Sequence, residues 1–111
     1  MKIVIAGTND RSDVTDGSLV GKGTFRTTGA IRDGGRALAY RRVRGALITL
    51  RFVTIGTKGT ITYVVKVDMT LGSSRWSISS GTRAYSGLRG KGKESENPSY
   101  TVSTLTGTVT R

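Results

Sequence analysis

The sequence predicts an all-β protein, a small antiparallel sheet of about eight strands that closes into a barrel. Three observations favour this fold class. Thr and other β-branched residues are scattered along the 111-residue chain and favour strands. No stretch of about 10 to 12 residues keeps the apolar spacing of a helix. Strand-like segments follow one another with short turns between them, which is typical of an antiparallel meander.

The first half of the chain contains three of these segments. Residues 2–6 form a short apolar run, and residues 19–31 form a long segment whose glycines fit the bends of a closing sheet. One face of the long segment collects Gly21, Gly23, Phe25, Thr27 and Gly29. A hairpin signal at Asp33-Gly34-Gly35 precedes the third segment, residues 36–44, which ends at the Gly45 break.

The second half continues the pattern with cleaner alternation. Residues 47–55 alternate, and a turn at 56–59 leads into residues 60–71. The predicted inward positions here are Ile48, Leu50, Phe52, Ile61, Tyr63, Val65, Val67 and Met69. A break at 72–74 precedes a strand at 75–80, and a glycine-rich basic strand follows Leu88. A polar loop is expected at 94–99, before a last strand at 100–110.

This alternation gives each strand one buried and one wet face. A flat sheet would expose two edges, and closure into a barrel removes them. We also expect one short helical turn near residues 84–86. The chain is long enough for a single domain. We predict an N-terminal strand with a partly mobile lead-in at residues 1–17, and a barrel domain at 18–111.

Composition excludes several classes of chemistry. The chain has no Cys and no His, which removes disulfides, thiolate nucleophiles, ordinary zinc sites and imidazole acid–base catalysis. Most of the seven carboxylates lie in apparent turns, so a carboxylate metal cage or a glycosidase pair is not expected. We therefore predict no metal and no cofactor. No apolar run approaches the length of a membrane helix, so no membrane span is predicted.

The charge balance points to anionic partners. Lys and Arg number 18 and Asp and Glu number 7, giving a net charge of +11. Such a surface attracts polyanions such as nucleic acid, anionic lipid or polysaccharide. Most of the basic residues are spread from Arg26 to Lys93 rather than packed in one run, which also fits a solvated basic surface with no partner.

Two segments resemble nucleotide-binding motifs but lack features that those motifs require. Gly87 to Lys93 has the spacing G-x-x-x-x-G-K of a phosphate loop, but Glu94 stands where Ser or Thr must hold magnesium. A phosphate loop is also followed by a helix whose N-terminus faces the phosphates, and the segment that ends at Pro98 is not expected to begin one. Residues 2–7 resemble the first strand of a dinucleotide fold, yet the glycine-rich turn and the helix are absent.

The densest basic cluster is Arg41, Arg42 and Arg44. On a strand, Arg42 and Arg44 share one face with Tyr40, and Arg41 takes the other. Arginines beside a ring bind phosphate or stack on bases. Nucleic-acid modules place several aromatic rings on one face, and Tyr40 is nearly alone here. An exposed rim or a subunit contact is the alternative interpretation.

Large rings at inward positions suggest a ligand cavity, although core packing explains them equally. Arg51 is a further polar residue able to serve such a pocket. The candidate ligand-binding residues of the barrel interior or mouth are Phe25, Tyr40, Arg42, Phe52, Tyr63, Trp76, Arg83 and Tyr85. No catalytic residue is assigned.

Several motifs resemble those of a group of small bacterial β-barrels. Residues 23–33 resemble its opening, G-T-F-x-x-T-G-A-I-x-D, and residues 76–92 resemble its centre, W-x-I-x-x-G-T-G-x-Y-A-G-L-R-G-x-G. Residues 57–61 and 104–109 are similar to it as well. The group is similar to the allene oxide cyclase-like and dirigent-like barrels, and the resemblance covers about residues 18 to 110. Arg83 departs from the pattern, which has Gly there.

The resemblance implies a barrel that binds a small apolar ligand, and a cofactor-free cyclase or isomerase if the protein is an enzyme. It also implies association as a dimer or trimer. Val53 and Val64, which are predicted to face outward, would give the barrel an apolar outer patch for such contacts. Two alternatives stay open: a basic protein that binds a polyanion or nucleic acid, and a structural barrel without a ligand. The compartment is undetermined, either cytoplasmic or secreted with a signal peptide that is absent from this numbering.

Overall fold

The computed structural model describes residues 1–8, 14–97 and 101–111, which form eight strands and one short helical turn. The strands are β1 (Lys2–Thr8), β2 (Asp16–Thr28), β3 (Asp33–Arg44), β4 (Leu47–Gly56), β5 (Thr60–Asp68), β6 (Ser73–Gly81), β7 (Arg89–Glu96) and β8 (Val102–Thr110). A 3-10 helix, Arg83–Tyr85, lies between β6 and β7. The predicted all-β class and the predicted helical turn are confirmed.

The eight strands form a closed antiparallel barrel. Each strand pairs with the next in sequence, and β1 pairs with β8 to complete the ring. Its Cα atoms extend over 35 × 25 × 23 Å. Because β1 is hydrogen-bonded on both sides, it is part of the barrel wall. Closure gives every described strand two partners and leaves none of them as a sheet edge.

Alternation decides which side chains fill the barrel. The inward residues of the central strands are apolar and almost fully buried, as a small barrel requires. The buried core is one cluster of apolar side chains, which consists of Ile3, Ile5, Phe25, Ala37, Leu50, Phe52, Ile61, Tyr63, Val65, Trp76, Tyr85, Leu88 and Leu105. Every inward position predicted on β4 and β5 faces the interior, except Met69.

Met69 is 63% exposed, and its predicted inward position is wrong. β5 ends at Asp68, whose Oδ1 accepts the backbone N–H groups of Thr70 and Leu71. This side-chain-capped turn takes Met69 out of the sheet, because Asp competes locally for backbone donors. The alternation of residues 60–68 therefore does not continue to residue 71.

Two other boundaries differ from the predicted ones. Asp33-Gly34-Gly35 begins β3 and pairs with β2 at Thr27, so it is not the hairpin turn. β7 continues to Glu96, so Glu94 and Glu96 lie on a strand and not in a polar loop. The predicted start of the last strand at residue 100 lies outside the described residues.

Among the described residues, none belongs to a helix long and apolar enough to cross a bilayer.

Candidate functional site

Five of the eight predicted ligand-binding residues lie inside the barrel. Tyr63 is fully buried, and the other four are no more than 6% exposed. The five are Phe25, Phe52, Tyr63, Trp76 and Tyr85. Tyr63 and Trp76 meet edge to face, with ring centroids 5.8 Å apart. Such a pair fixes both rings, so the centre of the barrel is a packed aromatic core.

A small, partly open cavity lies beside this core. It has a volume of about 30 Å³, and its lining includes Ile5, Gly21, Gly23, Ala37 and Phe52. The space suits one or two water molecules. An organic ligand of several carbons fits this cavity only if side chains move.

Trp76 connects three neighbouring strands. Its indole Nε1 donates to the Thr106 carbonyl on β8 at 3.1 Å, although Trp76 lies on β6. The strand between them, β7, has Gly92 directly opposite Trp76. A Cβ at Gly92 would lie 2.7 Å from Gly107 Cα and closer still to the Thr106 oxygen. The two glycines therefore permit the close approach of β7 and β8 beneath the indole.

Asp33 closes one end of the barrel. Its carboxylate accepts from the Gly34 N–H at 2.8 Å, from the Thr57 N–H at 3.0 Å and hydroxyl at 2.9 Å, and from the Lys58 N–H at 3.2 Å. The Tyr85 hydroxyl donates to it at 2.6 Å. Desolvation alone would raise the pKa of Asp33, but these hydrogen bonds together lower it well below the ordinary value.

The hydrogen bond to Asp33 also affects the protonation of Tyr85. Desolvation and its hydrogen bond to Asp33 both raise the pKa of the Tyr85 phenol, so the hydroxyl stays a donor. Tyr63 also has a raised pKa, chiefly from burial, and its hydroxyl has no hydrogen-bond partner among the described residues. Asp33 and Tyr85 thus connect β3 and the 3-10 helix at the end of the barrel, and both oxygens of the Asp33 carboxylate accept hydrogen bonds.

The other end of the interior is acidic. Glu94 and Glu96 project inward from β7, opposite Leu105 and Ser103 of β8. Ser74 on β6 donates to Glu94 Oε2, while Glu94 Oε1 is buried without a partner among the described residues. Burial, followed by the neighbouring Glu94 carboxylate, raises the pKa of Glu96 to about 7, against a smaller lowering effect of Arg41.

This acidic end carries no metal cage. No group of three or more His, Cys, Asp or Glu side chains in the described part of the chain could hold a metal ion.

Tyr40 and Arg42 lie on the outer face of the barrel, not in its interior. They occupy outward positions of β3, and Arg51 of β4 is directly opposite Tyr40. The Arg51 guanidinium lies 4.5 Å from the Tyr40 ring centroid, a cation–π contact. Arg42 is exposed and donates to the Asp16 carbonyl at 3.4 Å. These residues therefore serve the outer surface.

Arg83, the last of the predicted residues, is exposed at the start of the 3-10 helix. Its φ is +56°, and it is the only non-glycine residue with a positive φ among those described. Side chains with a Cβ rarely adopt this conformation. Glycine, which the pattern resembled by residues 76–92 has at this position, would adopt this backbone conformation without strain.

A row of directly paired outward residues encircles the barrel. It begins at Arg42, passes through β4 to β8 and reaches Lys2 of β1, which pairs with Thr28 of β2. We call it the cationic belt: Arg42, Thr49, Lys66, Arg75, Lys93, Thr106, Lys2 and Thr28. Five members are cationic, three are threonines, and none is acidic.

The centre of the belt places like charges against each other. Lys66 is paired with Arg75, and Arg75 is paired with Lys93, all three side chains being exposed. None of the three has an ion-pair partner within the described ranges. Asp68, two residues from Lys66, is occupied by the turn that follows β5. Directly opposed like charges destabilise a sheet, so packing gives no reason for this arrangement.

Comparison with known proteins identifies no relative. No protein-family model matches the chain, and neither a curated protein nor a solved structure matches it. The structure is a closed eight-stranded barrel, and kinship with the allene oxide cyclase-like and dirigent-like barrels stays a prediction.

Sequence reasoning missed the two most polar features of the barrel. The belt could not be found, because its members are separated by up to dozens of residues and meet only through strand register. Glu94 and Glu96 did leave a signal: the G-x-G-x-E-x-E alternation from Gly90 to Glu96 puts both carboxylates on the glycine face.

Proposed function

We propose that this protein binds a polyanion through the cationic belt. The observation that supports the proposal is the row Lys66–Arg75–Lys93, three exposed cations in direct cross-strand contact positions without acidic partners in the described structure. A protein that keeps mutually repelling charges at a cost in stability commonly does so for function. A polyanion would neutralise all three at once.

The chemistry of the belt fits phosphate or sulfate groups. Lys and Arg supply charge, and the intervening threonines supply hydroxyl donors, which are the side chains that contact nucleic-acid backbones. Lys91 and Arg89 extend the cationic surface along β7 on the same outward side. Affinity of this kind comes from counterion release and falls steeply with salt.

The test is retention on heparin and on single-stranded DNA columns at low salt. We expect wild-type protein to be retained and to elute as salt rises. The variant Arg75→Gln/Lys93→Gln should elute at clearly lower salt, with the slope of log affinity against log salt reduced by about 0.7 to 0.9 for each cation removed.

Lys22→Gln/Arg36→Gln is the matched control, because it removes the same charges from exposed outward positions off the belt. Equal effects of the two double variants would mean that net charge, not the belt, drives retention. Passage of the wild type at low salt would refute polyanion binding altogether.

A second candidate is the binding of a small apolar ligand in the barrel, with cofactor-free cyclisation or isomerisation as its chemistry. The inward rings and the family resemblance support it. Confinement in a near-attack shape would supply the rate without a strong base. The cavity of about 30 Å³ limits such a ligand unless rings move, so we rank this candidate second. Titration with hydrophobic fluorophores and unsaturated fatty-acid epoxides tests it.

Oligomer formation is a third proposal and is compatible with either function. Leu38 and Val53 are paired on the outer face of β3 and β4, and Val64 lies outward on β5. These apolar side chains are partly exposed. Sedimentation at high protein concentration tests it, and a monomer would refute it.

A further inference from the structure

The belt is a curved path, and its curvature selects the kind of polyanion that can follow it. Arg42 and Lys2 are its cationic ends, each three strands away from Arg75. Between the ends lie six strand spacings of about 4.8 Å, or about 29 Å in all. Six of eight spacings correspond to roughly three quarters of the circumference of the barrel.

The belt also climbs along the barrel as it turns. It leaves β3 at Arg42, which pairs with Asp16 at the start of β2. After passing round the barrel it returns to β2 at Thr28, the last residue of that strand. The path is therefore helical, and a chain that follows it does not meet itself.

A stiff rod cannot follow such a path. Duplex DNA has a persistence length of about 50 nm, far longer than the circumference of this barrel, and bending it this sharply is costly. A duplex would contact only the central cations Lys66, Arg75 and Lys93. A flexible strand could contact all five cations.

One end of the belt also offers a surface for a base. Tyr40 lies two residues before Arg42 on the same outward face, with the Arg51 guanidinium 4.5 Å from its ring. Bases stack on aromatic rings and on guanidinium planes in proteins that bind single strands. Sulfated polysaccharides have no planar base to place there.

We infer that the belt wraps single-stranded nucleic acid, its cations and threonines following the phosphates and the Tyr40–Arg51 pair stacking on a base. This inference rests on the proposed polyanion binding. Recognition is largely independent of sequence, because the belt contacts backbone groups and offers a single stacking position.

Fluorescence anisotropy tests the inference with three probes: an oligothymidylate of about 12 nucleotides, a duplex with the same number of phosphates, and a heparin fragment of matched charge. We expect the oligothymidylate to bind at least about tenfold more tightly than the duplex. Lys2→Gln/Arg42→Gln should weaken the binding of the oligothymidylate severalfold and leave the binding of the duplex nearly unchanged. Lys22→Gln/Arg36→Gln is again the control.

The outcomes separate this inference from the function on which it rests. Equal binding of duplex and single strand, with no effect of Lys2→Gln/Arg42→Gln, would overturn wrapping and leave polyanion binding intact. Tighter binding of the heparin fragment than of the oligothymidylate, with no effect of Tyr40→Ala, would overturn the assignment to nucleic acid. Failure of all three probes to bind would overturn the proposed function itself.

Discussion

Trp76 of β6 and Gly92 of β7 lie directly opposite each other, and the indole passes over the glycine to donate to the Thr106 carbonyl on β8. The missing side chain at position 92 thus lets one residue join three strands. β6 and β7 share three paired positions, Arg75–Lys93, Trp76–Gly92 and Ser77–Lys91. The indole consequently supports the shortest backbone ladder in the described barrel.

Gly92→Ala should destabilise the barrel strongly, by about 3 kcal/mol or more, because the added methyl overlaps the backbone of Thr106 and Gly107. Urea denaturation measures the loss. Gly45→Ala is the control: it has a positive φ of 58° but no neighbour within 4 Å, so we expect a cost of about 1 kcal/mol. Similar losses for the two variants would contradict the overlap.

Asp33→Ala should cost about 2 to 4 kcal/mol, since it leaves several backbone and side-chain donors without their shared acceptor. The lowered pKa of Asp33 stabilises the fold above the ordinary Asp value of 3.8, and that contribution is lost as the pH falls below it. Stability measured across acid pH should therefore fall steeply in the wild type and less steeply in Asp33→Asn. Parallel acid profiles would contradict this role.

Arg75→Glu should stabilise the barrel and abolish most polyanion binding. The substitution converts two like-charge pairs, with Lys66 and with Lys93, into opposite-charge pairs worth about 0.2 to 1 kcal/mol each. Thermal or urea denaturation at low salt should show the gain, and high salt should reduce it. A loss of stability would show that Arg75 has a packing role that its exposure does not reveal.

The Glu94–Glu96 pair should make stability depend on pH near neutrality. The pKa of Glu96 is raised from 4.5 to about 7, so the native state keeps a proton that the unfolded chain has released. The free energy of unfolding should therefore fall as the pH rises from about 4.5 to about 7 and level off above.

Urea denaturation at about pH 5 and about pH 8 measures this difference. Glu96→Gln should flatten it, because the amide does not titrate. Ser95→Ala, on the outward face between the two carboxylates, is the control and should keep the wild-type slope. An unchanged slope in Glu96→Gln would assign the pH dependence to another group.

Arg83→Gly should raise stability by about 1 kcal/mol, because a residue with a Cβ pays a steric cost at φ +56° that glycine avoids. Arg83→Ala is the comparison that keeps the strain while removing the charge. If Arg83→Ala stabilises the protein as much as Arg83→Gly, charge repulsion and not the backbone is the cause.

The fold class follows from local patterns in the amino-acid sequence. Alternation along residues 47–55 and 60–68 identified the inward residues of β4 and β5, because a strand places successive side chains on opposite faces whatever its partners. Four of the five predicted interior rings lie on strands, where the same alternation applies, whereas Tyr85 lies on the 3-10 helix. The short helical turn predicted near residues 84–86 is the 3-10 helix Arg83–Tyr85.

The arrangement of cations on the outer surface depends on the pairing of all eight strands. Arg42, Lys66, Arg75, Lys93 and Lys2 become one row because barrel closure sets the register of each strand pair, and register is a property of partners that no single strand contains. The same holds for Asp33 and Tyr85, which are 52 residues apart in sequence and meet across the end of the barrel. Period-two alternation is local, whereas register and closure are set by the whole sheet.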